Sequence, residues 1–196
     1  MEEKAGAILE RLTLSGLEKC LARLAKVSAG TWRINGVKVS RGTLEDAVAQ
    51  HDFSHPGAAV YFHVKGEFPF TSMMLFDLED MELISKCFLG YSFPKAPTFT
   101  QTEEVLLMEL GNIVVNAFIN AVLNALKRST MPPVPLCVDG NLRQVAAGAG
   151  AGSDPAKDYL VVAVSLAMQC DKLASATEVI GLVPAELEHE LERLNQ

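Results

Sequence analysis

The sequence predicts an α+β fold built by tandem duplication, in which each unit runs helix, strand, short helix, hairpin, helix. Two stretches about 99 residues apart share a weak residue pattern, and the order of helical and strand periodicities repeats with them. Hydrophobic residues make up 49% of the chain and charged residues 21%, which is typical of a globular protein with a sizeable core. Two such units predict about six mostly antiparallel strands packed with helices, in a pseudo-twofold arrangement.

We expect one domain over residues 1–196, made of repeat one (about 5–90), a linker (about 91–99) and repeat two (about 100–196). The aligned residues include Glu10 with Glu109, Thr13 with Asn112, Gly36 with Pro135, Val37 with Leu136 and Val39 with Val138. Near an offset of 98, Gly42-Thr43-Leu44 aligns with Gly140-Asn141-Leu142. The polar pair occurs only in the second copy, so the first copy is interpreted as scaffold.

Hydrophobic periodicity and turn residues predict the elements of the first repeat and their ends. The predicted elements are a helix over 5–29, strands Trp32–Ile34 and Val37–Val39, a helix Thr43–Gln50, strands Ala58–Lys65 and Phe70–Phe76, and a helix Leu78–Leu89. Ser15-Gly16 indicates a break in the first helix. Asn35-Gly36 favours a tight turn or a strand irregularity, and Gly66-Glu67 is the predicted hairpin turn. Gly90 ends the last helix.

The second repeat carries clearer boundary signals. Its predicted elements are a long helix over about 102–129, a strand Val134–Asp139, a helix Asn141–Ala147, a loop Gly148–Asp154, strands Tyr159–Gln169 and Ala174–Val183, and a helix Pro184–Asn195. Thr100 and Glu103 have the spacing of a capping box. Met131-Pro132-Pro133 is expected to stop the long helix, and Pro184 suits the first turn of the last one.

Charge and cysteine usage exclude several classes of function. The net charge of −7 and the lack of basic clusters argue against nucleic-acid binding. No apolar run approaches membrane-spanning length, and the acidic start of the chain is unlike a signal peptide. The widely spaced cysteines and histidines form no metal-binding pattern; they are Cys20, Cys87, Cys137, Cys170, His51, His55, His63 and His189. We therefore expect a cytoplasmic protein with no metal and no membrane insertion.

One face of the long helix in repeat two carries an unusual series of polar side chains. Glu109 and Asn112 lie three residues apart, so both project from the same face. Asn116, Asn120 and Asn124 follow at intervals of four. Asparagine is a poor helix former, so this stripe needs a reason. For Asn120 and Asn124 we favour a polar seam against solvent or a neighbouring helix.

Glu109-x-x-Asn112, followed after 22 residues by Pro135, resembles the signature of the CheC/CheX/FliY family of chemotaxis phosphatases. The stretch Glu-Leu-Gly-Asn-Ile (109–113) is similar to the family's Glu-Ile-Gly-Asn-Ile core. Tandem duplication is typical of CheC, and the resemblance covers almost the whole chain. It implies a phosphatase that acts on the aspartyl-phosphate of a CheY-like receiver domain.

The resemblance also implies a role for each residue of the motif. Asn112 would place a water molecule in line with the scissile P–O bond, because a carboxamide both accepts and donates hydrogen bonds. Glu109 would pair with a lysine of the receiver and orient docking. Pro135 would fix the passage from helix to strand. The Mg²⁺ ion belongs to the receiver, and no cofactor is expected in this chain.

The chain departs from the family pattern at two points. Val105 stands where the family often has Asp or Ser, and the first copy reads Glu10-x-x-Thr13. Threonine is too short to act like Asn112, so at most one active site is expected. The alternative is a non-catalytic CheC-like adaptor that binds a receiver or a CheD-like partner, and a structural part of the flagellar switch is a third interpretation. Monomer and homodimer both remain open.

Overall fold

This computed structural model describes residues 2–194. They form a six-stranded antiparallel sheet that lies between two layers of helices. The helices are α1 (Glu2–Val27), α2 (Leu44–Val48), α3 (Met81–Leu89), α4 (Gln101–Ala125), α5 (Leu142–Ala149) and α6 (Ala185–Leu194). The strands are β1 (Thr31–Gly42), β2 (Gly57–Val64), β3 (Phe70–Asp77), β4 (Leu136–Gly140), β5 (Tyr159–Cys170) and β6 (Leu173–Val183). A short 3₁₀ helix, Leu78–Asp80, precedes α3. The predicted fold class is confirmed.

The strand order β1-β5-β6-β3-β2-β4 has the predicted pseudo-twofold symmetry. The counterparts in the two repeats are β1 and β4, β2 and β5, and β3 and β6. When each strand is replaced by its counterpart, the same order is obtained from the opposite edge of the sheet. At the centre of the sheet, Met73 of β3 pairs with Ile180 of β6. Each outer strand pairs with the other repeat, because β1 pairs with β5 and β4 pairs with β2.

Alternation along the strands divides the interior into two cores. Val60 and Phe62 of β2 face the larger core, which lies under α1, α3, α4 and α6. Ala59 and Tyr61 face a smaller core, which lies under α2 and α5. The inner strands β2, β3, β5 and most of β6 are therefore buried on both faces, which explains their nearly continuous apolar runs.

Burial in the two long helices shows that the repeats correspond at an offset of 98 residues. At this offset both members of each pair are buried in Ile8/Leu106, Leu9/Leu107, Leu17/Val115, Leu21/Ile119 and Leu24/Val122. The same offset aligns the capping boxes that begin at Thr43 and Asn141. The alignment of Val39 with Val138 is wrong, because these side chains pack against opposite cores.

Two predictions in the first repeat are corrected. Helix α1 continues through Ser15-Gly16 without a break. The glycine at this point lets α4 approach closely. A Cβ at Gly16 would lie 2.9 Å from the Cβ of Ala121. The two short strands around Asn35-Gly36 are one strand, β1, in which the pairing with β5 skips Asn35. This bulge is the strand irregularity that the pair favoured.

In the second repeat, α4 ends before the prolines that were expected to stop it. Lys127 adopts a left-handed conformation with φ of 54°. The amides of Lys127 and Arg128 bond to the carbonyls of Asn124 and Leu123, the paired bonds of a Schellman end. Strand β4 begins only at Leu136, because the prolines before it cannot donate to a ladder. Asn195, the predicted end of the last helix, lies outside the described residues.

Helix α4 is also the one described helix with the length and apolar character of a membrane span. Its most apolar window has a mean hydropathy of 1.7, and half of that window is buried inside the structure. The core helix of a soluble protein passes the same test. The expectation that no segment reaches membrane-spanning length overlooked this helix.

Candidate functional site

Helix α4 is fixed at its start and near its middle, and these two points set the position of the predicted polar pair. The Thr100 hydroxyl accepts from the amide of Glu103, whose carboxylate accepts from the Thr100 amide at 2.8 Å. Gly111 lies directly on β2, where an added Cβ would be 2.7 Å from Cγ1 of Val60. The absence of a side chain at Gly111 therefore lets α4 sit close to the sheet beside Asn112.

Glu109 and Asn112 project from α4 on its accessible side. Glu109 is exposed and has no hydrogen bond or ion pair with the described residues. Asn112 is partly exposed. Nδ2 of Asn116 donates to Oδ1 of Asn112 at 2.6 Å. This bond orients the Asn112 carboxamide, leaves its NH₂ group free to donate outward and leaves a second lone pair on its oxygen.

Apolar side chains flank the pair along the helix. Val105, one turn before Glu109, is 50% exposed, and Ile113 is 39% exposed. An acidic group and a carboxamide between two exposed apolar residues form a surface suited to a protein partner rather than to a small molecule. Pro135 lies immediately before β4, whose first residue, Leu136, pairs with Tyr61 of β2.

Cys137 of β4 is the cysteine that follows Pro135 most closely in the chain. Burial raises the pKa of the Cys137 thiol to about 12, and the charges of Glu104 and Asp139 act in the same direction. Cys137 is therefore a neutral thiol and unsuited to nucleophilic attack. Among residues 2–194, no group of three His, Cys, Asp or Glu side chains could hold a metal ion.

The first repeat has different residues at the equivalent places. Glu10 is exposed, but Thr13 is fully buried and its hydroxyl has no hydrogen-bond partner in the structure. At the offset of 98, Thr13 corresponds to Gly111. The structural counterparts of Glu109, Asn112 and Pro135 are Arg11, Leu14 and Val37.

The predicted equivalence of Thr13 with Asn112 is therefore corrected by one residue. The identical glutamates at 10 and 109 favoured an offset of 99, whereas the apolar periodicity of the two helices fits 98. The contact between Asn112 and Asn116 was also missed, although their spacing of four residues places them on neighbouring turns.

No protein-family model matches the chain, and no curated protein sequence matches it. Solved structures do share its fold. FliY from Thermotoga maritima has a TM-score of 0.68 at 13% identity and covers 97% of this chain and 94% of its own. FliM in a FliG–FliM complex from H. pylori has a TM-score of 0.59 at 11% identity, with coverage of 99% and 97%.

The chemotaxis protein CheX from Desulfovibrio desulfuricans is similar over 89% of this chain and 98% of its own, with a TM-score of 0.51 at 11% identity. Identities this low carry information about the fold and not about activity. FliY and CheX nevertheless belong to the family whose signature the Glu109-x-x-Asn112 motif resembles, so the motif and the fold lead to the same family. The chain has the fold of the CheC/CheX/FliY proteins.

Proposed function

We propose that this protein is a phosphatase that hydrolyses the aspartyl-phosphate of a CheY-like receiver domain. The observation that carries the proposal is the placement of Glu109 and Asn112 one turn apart on the accessible side of α4, between exposed apolar residues. Both side chains are therefore within reach of a group carried on the surface of another protein. This placement suits a substrate that is presented by another protein.

In the proposed reaction, the Asn112 carboxamide holds a water molecule in line with the phosphorus atom. The water oxygen attacks phosphorus, the bond from phosphorus to the aspartyl oxygen breaks, and inorganic phosphate leaves with the oxygen of the water. Asn112 accepts a hydrogen bond from the water and donates to a phosphoryl oxygen. The Mg²⁺ ion of the receiver offsets the charge on the phosphoryl group.

Glu109 has the separate role of docking. Its carboxylate is exposed and has no partner among the described residues, so it is available to a lysine of the receiver. The four free cysteines suit a reducing compartment, and the proposed location is the cytoplasm.

The decisive experiment compares the decay of a phosphorylated receiver in the presence of the wild type, Asn112→Ala and Asn112→Asp. Both variants should lose the acceleration, about 100-fold, because alanine has no polar group and aspartate cannot donate to the phosphoryl oxygen. Gln101→Ala is the matched control, since Gln101 is an exposed carboxamide on the same helix. Full activity in Asn112→Ala would contradict the proposal.

The Glu109→Gln variant tests the docking role. It should raise KM more than it lowers kcat, because the carboxylate orients the receiver and does not contact the water. An unchanged KM with a collapsed kcat would exchange the roles of Glu109 and Asn112.

The alternative is a non-catalytic adaptor that binds a receiver or a CheD-like partner, and the exposed Val105 at the edge of the site favours it. The same measurements separate the two functions. An adaptor would bind the phosphorylated receiver in a pull-down or titration without shortening the lifetime of its phosphate.

A further inference from the structure

The surface next to the proposed site contains a long groove between α1 and α4. Its volume is about 760 Å³. The lining runs from Leu12 to Val27 on α1, which corresponds to about 22 Å at the rise of a helix. On α4 it runs from Ile113 to Ala125. The groove is therefore about four helical turns long, which is more than a small molecule fills.

The floor of the groove is apolar and formed by small side chains. Gly16 packs against the backbone carbonyl of Ala117 and the Cβ of Ala121 where the two helices touch. Helices α1 and α4 run antiparallel, since Gly16 lies against Ala117 and Ala121 while Sγ of Cys20 contacts the carbonyl of Ile113. Val27, which is 80% exposed, and Ile113 therefore lie toward the same end of the groove. Small residues allow a third helix to approach closely, and these exposed apolar residues lose contact with water when it does.

The walls of the groove carry positive charge and carboxamides. Lys19 and Arg23 line the α1 side, and neither has an ion pair with the described residues. Asn120 and Asn124 line the α4 side, and their side chains have no hydrogen-bond partners in residues 2–194. The lining contains no acidic residue, although the chain as a whole has a net charge of −7.

The backbone of the walls restricts what the groove can bind. Both walls are helices, so their backbone groups are already bonded internally and offer no free edge to an extended peptide. A helical ligand satisfies its own backbone and presents only side chains. We propose that the α1–α4 groove binds an acidic amphipathic helix of a partner protein, with the apolar face on the floor and carboxylates near Lys19 and Arg23.

This inference goes beyond the proposed function and does not require it. The probe is a fluorescein-labelled helical peptide of roughly 16 residues, with Leu and Ala on one face and Glu on the other, the length that spans the groove. Binding is followed by fluorescence anisotropy. The wild type should bind this peptide and should not bind its twin in which every Glu is Lys, and added salt should weaken the binding.

The Lys19→Glu/Arg23→Glu double variant should bind the acidic peptide about tenfold more weakly or worse. Lys38→Glu/Lys172→Glu is its matched control, because these exposed lysines lie outside the groove and the two variants have equal net charge. The control should bind like the wild type. Asn120→Trp, at an exposed position, should also weaken binding by filling the groove.

Three results would overturn the proposal: no binding by the wild type, equal binding of the Lys twin, or loss of binding in the control as large as in the groove variant. The Asn112→Ala variant keeps the two proposals distinguishable. It should lose phosphatase activity and still bind the peptide, because Asn112 does not line the groove.

Discussion

At the scale of single residues, the hydroxyl of Thr13 leads to a prediction about the stability of the protein. Its hydroxyl is fully buried in α1 and has no hydrogen-bond partner in the structure. Thr13→Val keeps the shape of the side chain and removes the unsatisfied group, so we expect the free energy of unfolding to rise by about 1 kcal/mol. Urea denaturation measures the change.

The control for this prediction is Thr177→Val. Thr177 is equally buried, but its hydroxyl donates to the carbonyl of Leu75. The same substitution there removes a buried hydrogen bond, and stability should fall. If Thr13→Val destabilised the protein as much as Thr177→Val, the hydroxyl of Thr13 would have a partner in solution.

The pKa of His55 should lie above the ordinary histidine value, and the pKa of His63 should lie below it. The hydrogen bond and the charge of Asp77, whose Oδ2 lies 3.1 Å from Nδ1 of His55, raise the pKa of His55. Burial, with a smaller effect of Lys65, lowers the pKa of His63. In an NMR titration of the imidazole resonances, His63 should lose its proton at lower pH than His55.

The contribution of His55 to stability follows from the sign of its shift. It is fully present below the unfolded-state pKa and is lost as pH rises through the higher folded-state pKa. Asp77→Asn should lower the midpoint of His55 and leave that of His63 in place. A midpoint for His55 below that of His63 in the wild type would contradict the assignment.

At the scale of elements, the sequence predicted the helices and strands but not their alignment between repeats. Gly and Pro mark the ends of most elements, so their order could be predicted. The offset could not, because an alignment that matches Glu10 with Glu109 looks as good as one that matches apolar positions. Only packing shows that Thr13 occupies the place of Gly111.

The candidate site was predicted in part for the same reason. The helix that carries Glu109 and Asn112, and the common face of this pair, follow from spacing alone. The bond from Asn116 depends on the rotamers of two side chains, and the groove beside it depends on the approach of a helix almost 100 residues away in the sequence. Neither property is encoded by local pattern.

The contact of α4 with the sheet leads to a prediction about Gly111. Gly111→Ala places a Cβ against Val60 and should cost about 1–3 kcal/mol of stability through overpacking. In a Val60→Ala background the added methyl has more room, so the cost should shrink. Gly36→Ala is the control, because a Cβ there meets nothing within 4 Å. Equal costs in both backgrounds, measured by urea denaturation, would rule out the contact as the cause.

At the scale of the whole molecule, each repeat depends on the other, because among the described strands its outer strand pairs only with a strand of the other repeat. This arrangement is a strand exchange between the repeats. Within the described sheet, β1 pairs with β5 alone and β4 with β2 alone. Fragments 1–98 and 99–196 should therefore each lack dispersed amide resonances and cooperative unfolding. Mixed together, they should recover the spectrum of the intact chain. A fragment that folded cooperatively alone would show that the exchanged strand is dispensable.

The exchange also changes what the linker does for the protein. As separate chains, the halves would form the sheet only in proportion to their concentration, and the complex would come apart on dilution. The segment that joins Leu89 to Gln101 keeps each half near the strand that it lacks, at an effective concentration in the millimolar range for a short link. Assembly of two partners becomes folding of one chain. The protein is thus protected against dilution, and a protease cut between residues 91 and 99 would return it to a concentration-dependent complex.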